Sequence, residues 1–105
     1  MKYTRDDFAN VSKYYVTQGV HDKVPVEVVL FMMFLIENMK CDERDYFQFF
    51  TLKKCDEYIE VKHEQEVPEF TETAKLFFGD ADFTELKVYV IAEDEICTIL
   101  LNTEY

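Results

Sequence analysis

The chain has 105 residues, of which 49% are apolar, and it contains ten Phe, seven Tyr and only two Gly and two Pro. This composition predicts a single domain with a real core and excludes a disordered or low-complexity protein. The net charge of −11 disfavours direct nucleic-acid binding, which depends on Lys and Arg at the phosphates, and favours a partner with a basic surface.

The first elements are short. Residues 1–12 are expected to form a poorly defined amino-terminal arm of the single domain 1–105. Residues 13–17 (KYYVT) are β-branched and aromatic and predict a first strand. Gln18 and Gly19 predict a turn after this strand, and residues 21–23 a polar loop.

Residues 24–39 (VPVEVVLFMMFLIENM) predict the central helix of the domain. Pro25 suits the first helical position, and Glu27 suits the positive end of the helix dipole. Between Glu27 and Glu37 all nine residues are apolar, which is typical of a helix that is buried on every side.

Two strands follow the helix. Residues 45–52 (DYFQFFTL) are apolar on both faces, which indicates a central strand, whereas residues 57–65 alternate. In the second of these strands Ile59, Val61, His63 and Gln65 share one face, and Tyr58, Glu60, Lys62 and Glu64 share the other.

Residues 70–83 leave two alternatives, a short helix over 71–78 or a long loop. Residues 86–91 and 96–101 predict a hairpin with a turn at 92–95. The fold class predicted is α+β, with one long buried helix on a largely antiparallel sheet of about five strands.

The cysteines Cys41, Cys55 and Cys97 are odd in number and widely spaced, which favours free thiols in a cytoplasmic protein over disulfides. The nine-residue apolar run is too short to cross a membrane, which takes about 20 residues. A membrane partner is therefore not expected, and the oligomeric state stays open.

No catalytic signature or phosphate-binding glycine loop is present, so no catalytic residue and no cofactor is predicted. Metal chemistry would have to use His63, Glu64 and Glu66, with His21 elsewhere. On one strand His63 faces away from the two carboxylates, so a hydrogen-bonded histidine on the inner face is the competing interpretation.

The acidic residues are concentrated in the second half of the chain, since residues 53–105 carry −9 and residues 1–52 carry −2. Ordered carboxylates can imitate the phosphates of a nucleic acid, although acidic residues also serve only to keep a surface solvated. The candidate partner-binding residues form three groups: Glu60, Glu64, Glu66 and Glu69; Asp80, Asp82 and Glu85; and Glu93, Asp94 and Glu95.

Several segments resemble a bacterial domain family of unknown function found in Gram-positive bacteria and their mobile elements. They are residues 14–20 (YYVTQGV) with Pro25 opening the apolar helix, 45–50 (DYFQFF), 63–70 (HEQEVPEF) and 98–105 (TILLNTEY). The His-x-Gln-Glu-x-Pro segment is the most specific. The chain departs from the family at residues 32–34, where the family has a tryptophan, and at residues 71–83. The resemblance brings no catalytic residues, and it associates the chain with phage inhibitors of CRISPR nucleases.

The leading hypothesis is a non-catalytic cytoplasmic protein of a bacterial host cell that binds a basic groove on a nucleic-acid-processing protein. Its most specific form is a phage-type inhibitor that acts as a nucleic-acid mimic on a Cas9-like nuclease and its guide RNA. The alternatives are a metal-dependent enzyme around His63, Glu64 and Glu66, and a host regulatory adaptor that uses an exposed apolar patch.

Overall fold

The computed structural model describes residues 3–105, and strands account for 44% and helices for 20% of them. Met1 and Lys2, at the start of the expected arm, lie outside this range. The elements are β1 Arg5–Asp6, β2 Lys13–Val16, α1 Gln18–Lys23, α2 Val26–Glu37, β3 Glu43–Arg44, β4 Phe47–Lys54, β5 Ile59–Gln65, β6 Phe70–Leu76, β7 Glu85–Glu93, β8 Ile96–Leu101 and a 3₁₀ turn Asn102–Glu104.

Six strands form one sheet in the order β2-β8-β7-β4-β5-β6, and β1 and β3 form a separate parallel pair. The sheet is mixed, because β2 runs parallel to β8 whereas the other neighbours are antiparallel. The aromatic strand β4 lies between β7 and β5, which confirms its predicted central position.

The predicted fold class is wrong, because the sheet and not the helix dominates the domain. Within residues 3–105 only one helix exceeds six residues, and it spans twelve. The helix is also not buried all round: Val28, Met32 and Ile36 are buried, whereas Leu30 is 63% and Phe34 58% exposed. The apolar run therefore marks one face that packs on the sheet and a second apolar face that meets solvent.

Three local predictions are wrong as well. Residues 18–19 do not form a turn but begin α1, whose N-cap Thr17 accepts a hydrogen bond from the Val20 amide. Residues 71–78 form neither a helix nor a loop, because residues 70–76 pair with β5 along its full length as β6. The hairpin turn is shorter than 92–95 and consists of Asp94 and Glu95, with Asp94 in the left-handed region at φ 59°.

The two faces of the sheet have different environments. The inner face packs on α2 and holds the core, with fully buried residues such as Phe50, Leu52 and Val61. The outer face carries the alternate residues of each strand and lies open to solvent. The predicted alternation of β5 is confirmed, because Ile59, Val61, His63 and Gln65 are buried.

A buried polar network joins β4 and β5 in the inner face. His63 Nε2 lies 2.6 Å from Gln48 Oε1, and Gln48 Nε2 donates to Gln65 Oε1 at 2.7 Å. Gln65 Oε1 also accepts from the Asp45 amide at 2.7 Å, and Gln65 Nε2 donates to the Pro68 carbonyl at 2.9 Å. His63, Gln65 and Pro68 are three of the four defined residues of the His-x-Gln-Glu-x-Pro segment, so this segment forms much of the network and holds the turn at residues 66–69. The Val67–Pro68 peptide bond in this turn is cis.

His63 is held in its neutral form. Both hydrogens of the Gln48 amide have acceptors, so its oxygen accepts a hydrogen bond from His63 Nε2–H, and in the neutral ring Nδ1 carries no proton. No residue of the described chain bonds to Nδ1, and the ring stacks on Phe50 at 4.4 Å. Burial lowers the pKa of His63 from 6.5 to about 4, because a charged ring would lose its hydration.

The amino-terminal segment is fastened by Arg44, which is 5% exposed. Its guanidinium makes two hydrogen bonds of 2.6 Å to Asp6 and donates to the Ile36 carbonyl at the end of α2. The rings of Tyr3 and Phe8 lie 4.7 and 5.4 Å from the guanidinium carbon. Residues 3–8 are therefore tied to the carboxyl end of α2 by one buried cation.

The carboxyl terminus is fastened by Glu104. Its carboxylate accepts from the Thr17 hydroxyl at 2.6 Å, the Leu101 amide at 2.8 Å and the Gly19 amide at 3.1 Å. The hydrogen bond from Thr17 is the main reason that the pKa of Glu104 is lowered. A Cβ on Gly19 would lie 2.7 Å from this carboxylate, so the close approach requires glycine.

The neutral state of His63 predicts a loss of stability in acid. The unfolded chain binds a proton at His63 near pH 6.5 and the folded chain only near pH 4, so the free energy of unfolding falls as the pH drops through this window. Protonation of His63 should lower the free energy of unfolding by about 3 kcal/mol between neutral pH and pH 4. Over the same range, the free energy of unfolding of His63→Phe should therefore fall by about 3 kcal/mol less than that of the wild type. Urea denaturation at a series of pH values measures both.

His21→Phe is the matched control, because the side chain of His21 is 78% exposed. It should keep the pH dependence of the wild type. If His63→Phe and the wild type lost the same free energy of unfolding between neutral pH and pH 4, the buried neutral histidine would be refuted.

Gly19→Ala should weaken the attachment of the carboxyl terminus. The added methyl group displaces the Glu104 carboxylate and breaks its hydrogen bonds to Thr17 and Gly19. We expect a more mobile Tyr105 ring, observed by NMR; the melting temperature is the less direct readout, because alanine also favours the helix by about 1 kcal/mol. Gly79→Ala is the control, because a Cβ there meets no atom within 4 Å. Equal effects of the two substitutions would contradict the role of Gly19.

Candidate binding site on the outer face of the sheet

Four aromatic rings cluster in the middle of the outer face. Phe47 and Phe49 of β4 stack at 4.5 Å, and Tyr89 of β7 meets them edge-on at 5.1 and 5.4 Å. Tyr105 follows the 3₁₀ turn and contacts Phe47 and Tyr89, both at 5.5 Å. The attachment of Glu104 to α1 and β8 therefore also sets the position of Tyr105.

These rings form one wall of an open cleft of about 550 Å³, within the usual range of ligand sites. The other wall consists of Asp45 and Tyr46, just before β4, and the turn at 66–69. The hydrogen bonds of Gln65 to the Asp45 amide and the Pro68 carbonyl hold these two segments together. We call this the aromatic-acidic cleft, and its residues are Asp45, Tyr46, Phe47, Phe49, Glu66, Val67, Tyr89 and Tyr105. Its rim is accessible, since Tyr46 is 49%, Val67 62% and Tyr105 75% exposed.

Carboxylates dominate the charge at the cleft. Asp45 and Glu66 line it, and Glu64 lies opposite Phe49 in the register of β4 and β5. One base contacts the cleft directly: Arg5 lies 3.3 Å from Asp45 and donates to the Val67 carbonyl. Arg5 also faces Asp7 and Glu43, so its single charge is shared among three carboxylates and the cleft stays negative.

Of the predicted acidic residues, Glu64 and Glu66 are at this site, and Glu69 lies in the adjoining turn. Glu60 shares the outer face but lies further along the strand, in register between Lys53 and Lys75. Lysines on both neighbouring strands offset its charge. The first predicted group is therefore divided between the cleft and a region of alternating charge.

The other two predicted groups lie at opposite ends of β7 and do not share a surface. Asp80 and Asp82 occupy the loop before β7 and Glu85 is its first residue, whereas Glu93 is its last residue and Asp94 and Glu95 form the next turn. Eight residue steps along a strand separate the two groups by about 26 Å. The ten carboxylates thus form dispersed clusters, not one continuous row.

The proposed metal ligands are not brought together. His63 is buried in the inner face with Nε2 bonded to Gln48, whereas Glu64 projects to the outer face. Among residues 3–105, no group of three or more His, Cys, Asp or Glu side chains is arranged to hold a metal ion. The prediction of a hydrogen-bonded inner-face histidine is confirmed.

The aromatic half of the site was missing from the sequence prediction. Apolar residues on both faces of β4 indicate a central strand, and this pattern alone does not show that Phe47 and Phe49 meet solvent. The available signal was the alternation in β4, which places Phe47 and Phe49 opposite Gln48 and Phe50, so both sets cannot face the same helix. Nothing in the local sequence indicates that Tyr105 folds back onto them.

In the part of the chain that the structure describes, no helix is long and apolar enough to span a bilayer. Cys41, Cys55 and Cys97 are all free thiols, as predicted.

Comparison with solved structures finds a similar fold in a crystal structure of a protein of unknown function from Enterococcus faecalis. The two share 20% sequence identity with a TM-score of 0.75, over 89% of this chain and 90% of the other. At this identity the likeness shows the fold alone. A search of curated proteins found no match.

A family model described as "Staphylococcal protein of unknown function (DUF960)" matches residues 13–104. The match covers nearly the whole chain and confirms the resemblance to a bacterial family of unknown function. The chain therefore belongs to the DUF960 family.

Proposed function

We propose that this protein is a non-catalytic binding protein that holds a basic segment of another protein in the aromatic-acidic cleft. The observation that carries the proposal is the combination of exposed aromatic rings and an excess of carboxylates over basic groups in one cleft. A guanidinium or ammonium group binds favourably to both, because it makes cation–π contacts with the rings and ion pairs with the carboxylates.

The net charge of −11 supports a basic partner. Long-range attraction brings a basic surface toward the protein, and the cleft supplies the local contacts that select it. A nucleic acid is the weaker candidate. Aromatic rings on a sheet can stack bases, but Glu64, Glu66 and Asp45 would repel the phosphates that run beside them.

A catalytic role is the weaker proposal as well, because the metal hypothesis needs His63 and Glu64 on the same side of the sheet. We place the protein in the cytoplasm, where its three free thiols would stay reduced.

Neither DUF960 nor the Enterococcus faecalis protein supports the more specific prediction of a phage inhibitor of a CRISPR nuclease. That prediction stays untested, and the dispersal of the acidic clusters favours recognition at one cleft over imitation of a continuous phosphate backbone.

A short peptide of alternating arginine and glycine is a suitable probe. It should bind the wild type with an affinity that falls as salt is added, because exposed ion pairs are screened. Glu66→Gln and Tyr105→Leu should each weaken binding by about 2- to 5-fold, the range expected for one exposed ion pair or cation–π contact. Isothermal titration calorimetry measures the affinity of the wild type and of each variant for the peptide.

Glu95→Gln is the matched control for Glu66→Gln, because it removes the same charge from an exposed position outside the cleft. Its affinity should stay close to that of the wild type. Equal losses in Glu66→Gln and Glu95→Gln would show that net charge alone attracts the peptide and would contradict the proposed site. Tighter binding of single-stranded DNA than of the peptide would contradict the proposed partner.

A further inference from the structure

An apolar strip lies on the opposite side of the domain from the aromatic-acidic cleft, along the open edge strand β2 and the solvent side of α2. We call it the β2–α2 strip, and its residues are Tyr14, Val16, Val26, Leu30 and Phe34. They are 55%, 43%, 64%, 63% and 58% exposed, respectively. Val26, Leu30 and Phe34 recur every four residues and share one side of the helix.

Two grooves lie along the strip between β2 and α2. One of about 300 Å³ is lined by Tyr14, Leu30 and Phe34, and one of about 270 Å³ is lined by Val16 and Val26. With roughly 150–200 Å² for a whole large apolar side chain, the strip exposes roughly 400–500 Å². This is at least half of the surface that one partner buries in a standard interface, about 800 Å².

The backbone of β2 offers hydrogen bonds along the same edge. The amides of Lys13 and Thr17 donate toward β8, to the carbonyls of Glu95 and Ile99. Because the backbone groups of a strand alternate between its two edges, those of Tyr14 and Val16 point to the open side. Within residues 3–105 no strand covers them. Edge strands of natural sheets are usually protected from pairing with another chain by charged residues or proline. In β2, Lys13–Val16, the protecting residue is Lys13.

The charge of the strip favours a second copy of the chain as its occupant over a basic partner. The segment 11–36 that forms the strip carries Lys13, Lys23, Asp22 and Glu27 and is therefore neutral, within a chain of −11. A basic partner would be drawn to the acidic surfaces and not to this neutral one. Two copies joined here also keep their acidic strands β5 and β6 apart, because those lie at the far edge of each sheet.

We propose that two copies pair β2 with β2 in antiparallel fashion about a two-fold axis perpendicular to the sheet. Tyr14 of one copy then lies opposite Val16 of the other, which makes four new backbone hydrogen bonds, and Tyr15 lies opposite itself. The axis places both α2 helices on the same face of one twelve-stranded sheet. Leu30 and Phe34 of the two helices then cover each other.

Sedimentation equilibrium tests this directly. At about 0.1 mM, above the micromolar Kd of a weak standard-sized interface, the wild type should have twice its chain mass of 12.6 kDa. Leu30→Asp places two buried charges at the interface and should give a monomer that still folds, since Leu30 is 63% exposed. Phe77→Asp, at a residue 73% exposed in a distant loop, should remain a dimer.

A cysteine cross-link tests the register independently of stability. Tyr15→Cys should form a disulfide-linked dimer on mild oxidation, because opposed non-hydrogen-bonded residues have Cα atoms about 4.5 Å apart, within disulfide reach. Thr98→Cys lies beside Tyr15 but one strand further in, and it should not cross-link. A monomeric wild type, a Leu30→Asp dimer, or equal cross-linking of the two cysteine variants would overturn the proposal.

Discussion

The buried hydrogen bonds of His63, Gln48 and Gln65 are the constraint on which the rest of the structure depends. They lie inside the core between the neighbouring strands β4 and β5, where an unpaired amide would cost about 1–3 kcal/mol. A shift in the register of β4 against β5 would break all of them at once, so they specify the pairing more sharply than apolar contacts can. Gln65 extends the same network to Asp45 and to the turn that follows β5.

The same constraint links the inside of the sheet to its outside. With the register fixed, Phe47 and Phe49 project outward between Tyr89 and Glu64, and the turn brings Glu66 beside them. The carboxyl terminus completes the cleft, because the Glu104 carboxylate ties the last turn to α1 and β8. The His-x-Gln-Glu-x-Pro segment thus has a structural role: its histidine is a buried neutral ring, and the turn at residues 66–69 forms one wall of a surface cleft.

Much of the sheet could be predicted from the sequence, because period-two alternation reports directly which side chains face a core. It correctly assigned the faces of β5 and the central position of β4. The helix was misjudged because an apolar run does not distinguish burial in a core from an apolar face left open, and Leu30 and Phe34 belong to the second kind. The cleft was missed because Phe47, Tyr89 and Tyr105 meet only through tertiary structure, across strands and a chain terminus that are distant in sequence.

The central claim is that a basic segment is recognised at one cleft and not by diffuse negative charge. Amide chemical-shift mapping of the labelled protein during titration with the arginine–glycine peptide tests it most directly. The account predicts shifts concentrated at residues 45–49, 64–67, 89 and 105. Shifts of equal size at residues 80–85 and 93–95, where the other carboxylates lie, would contradict it.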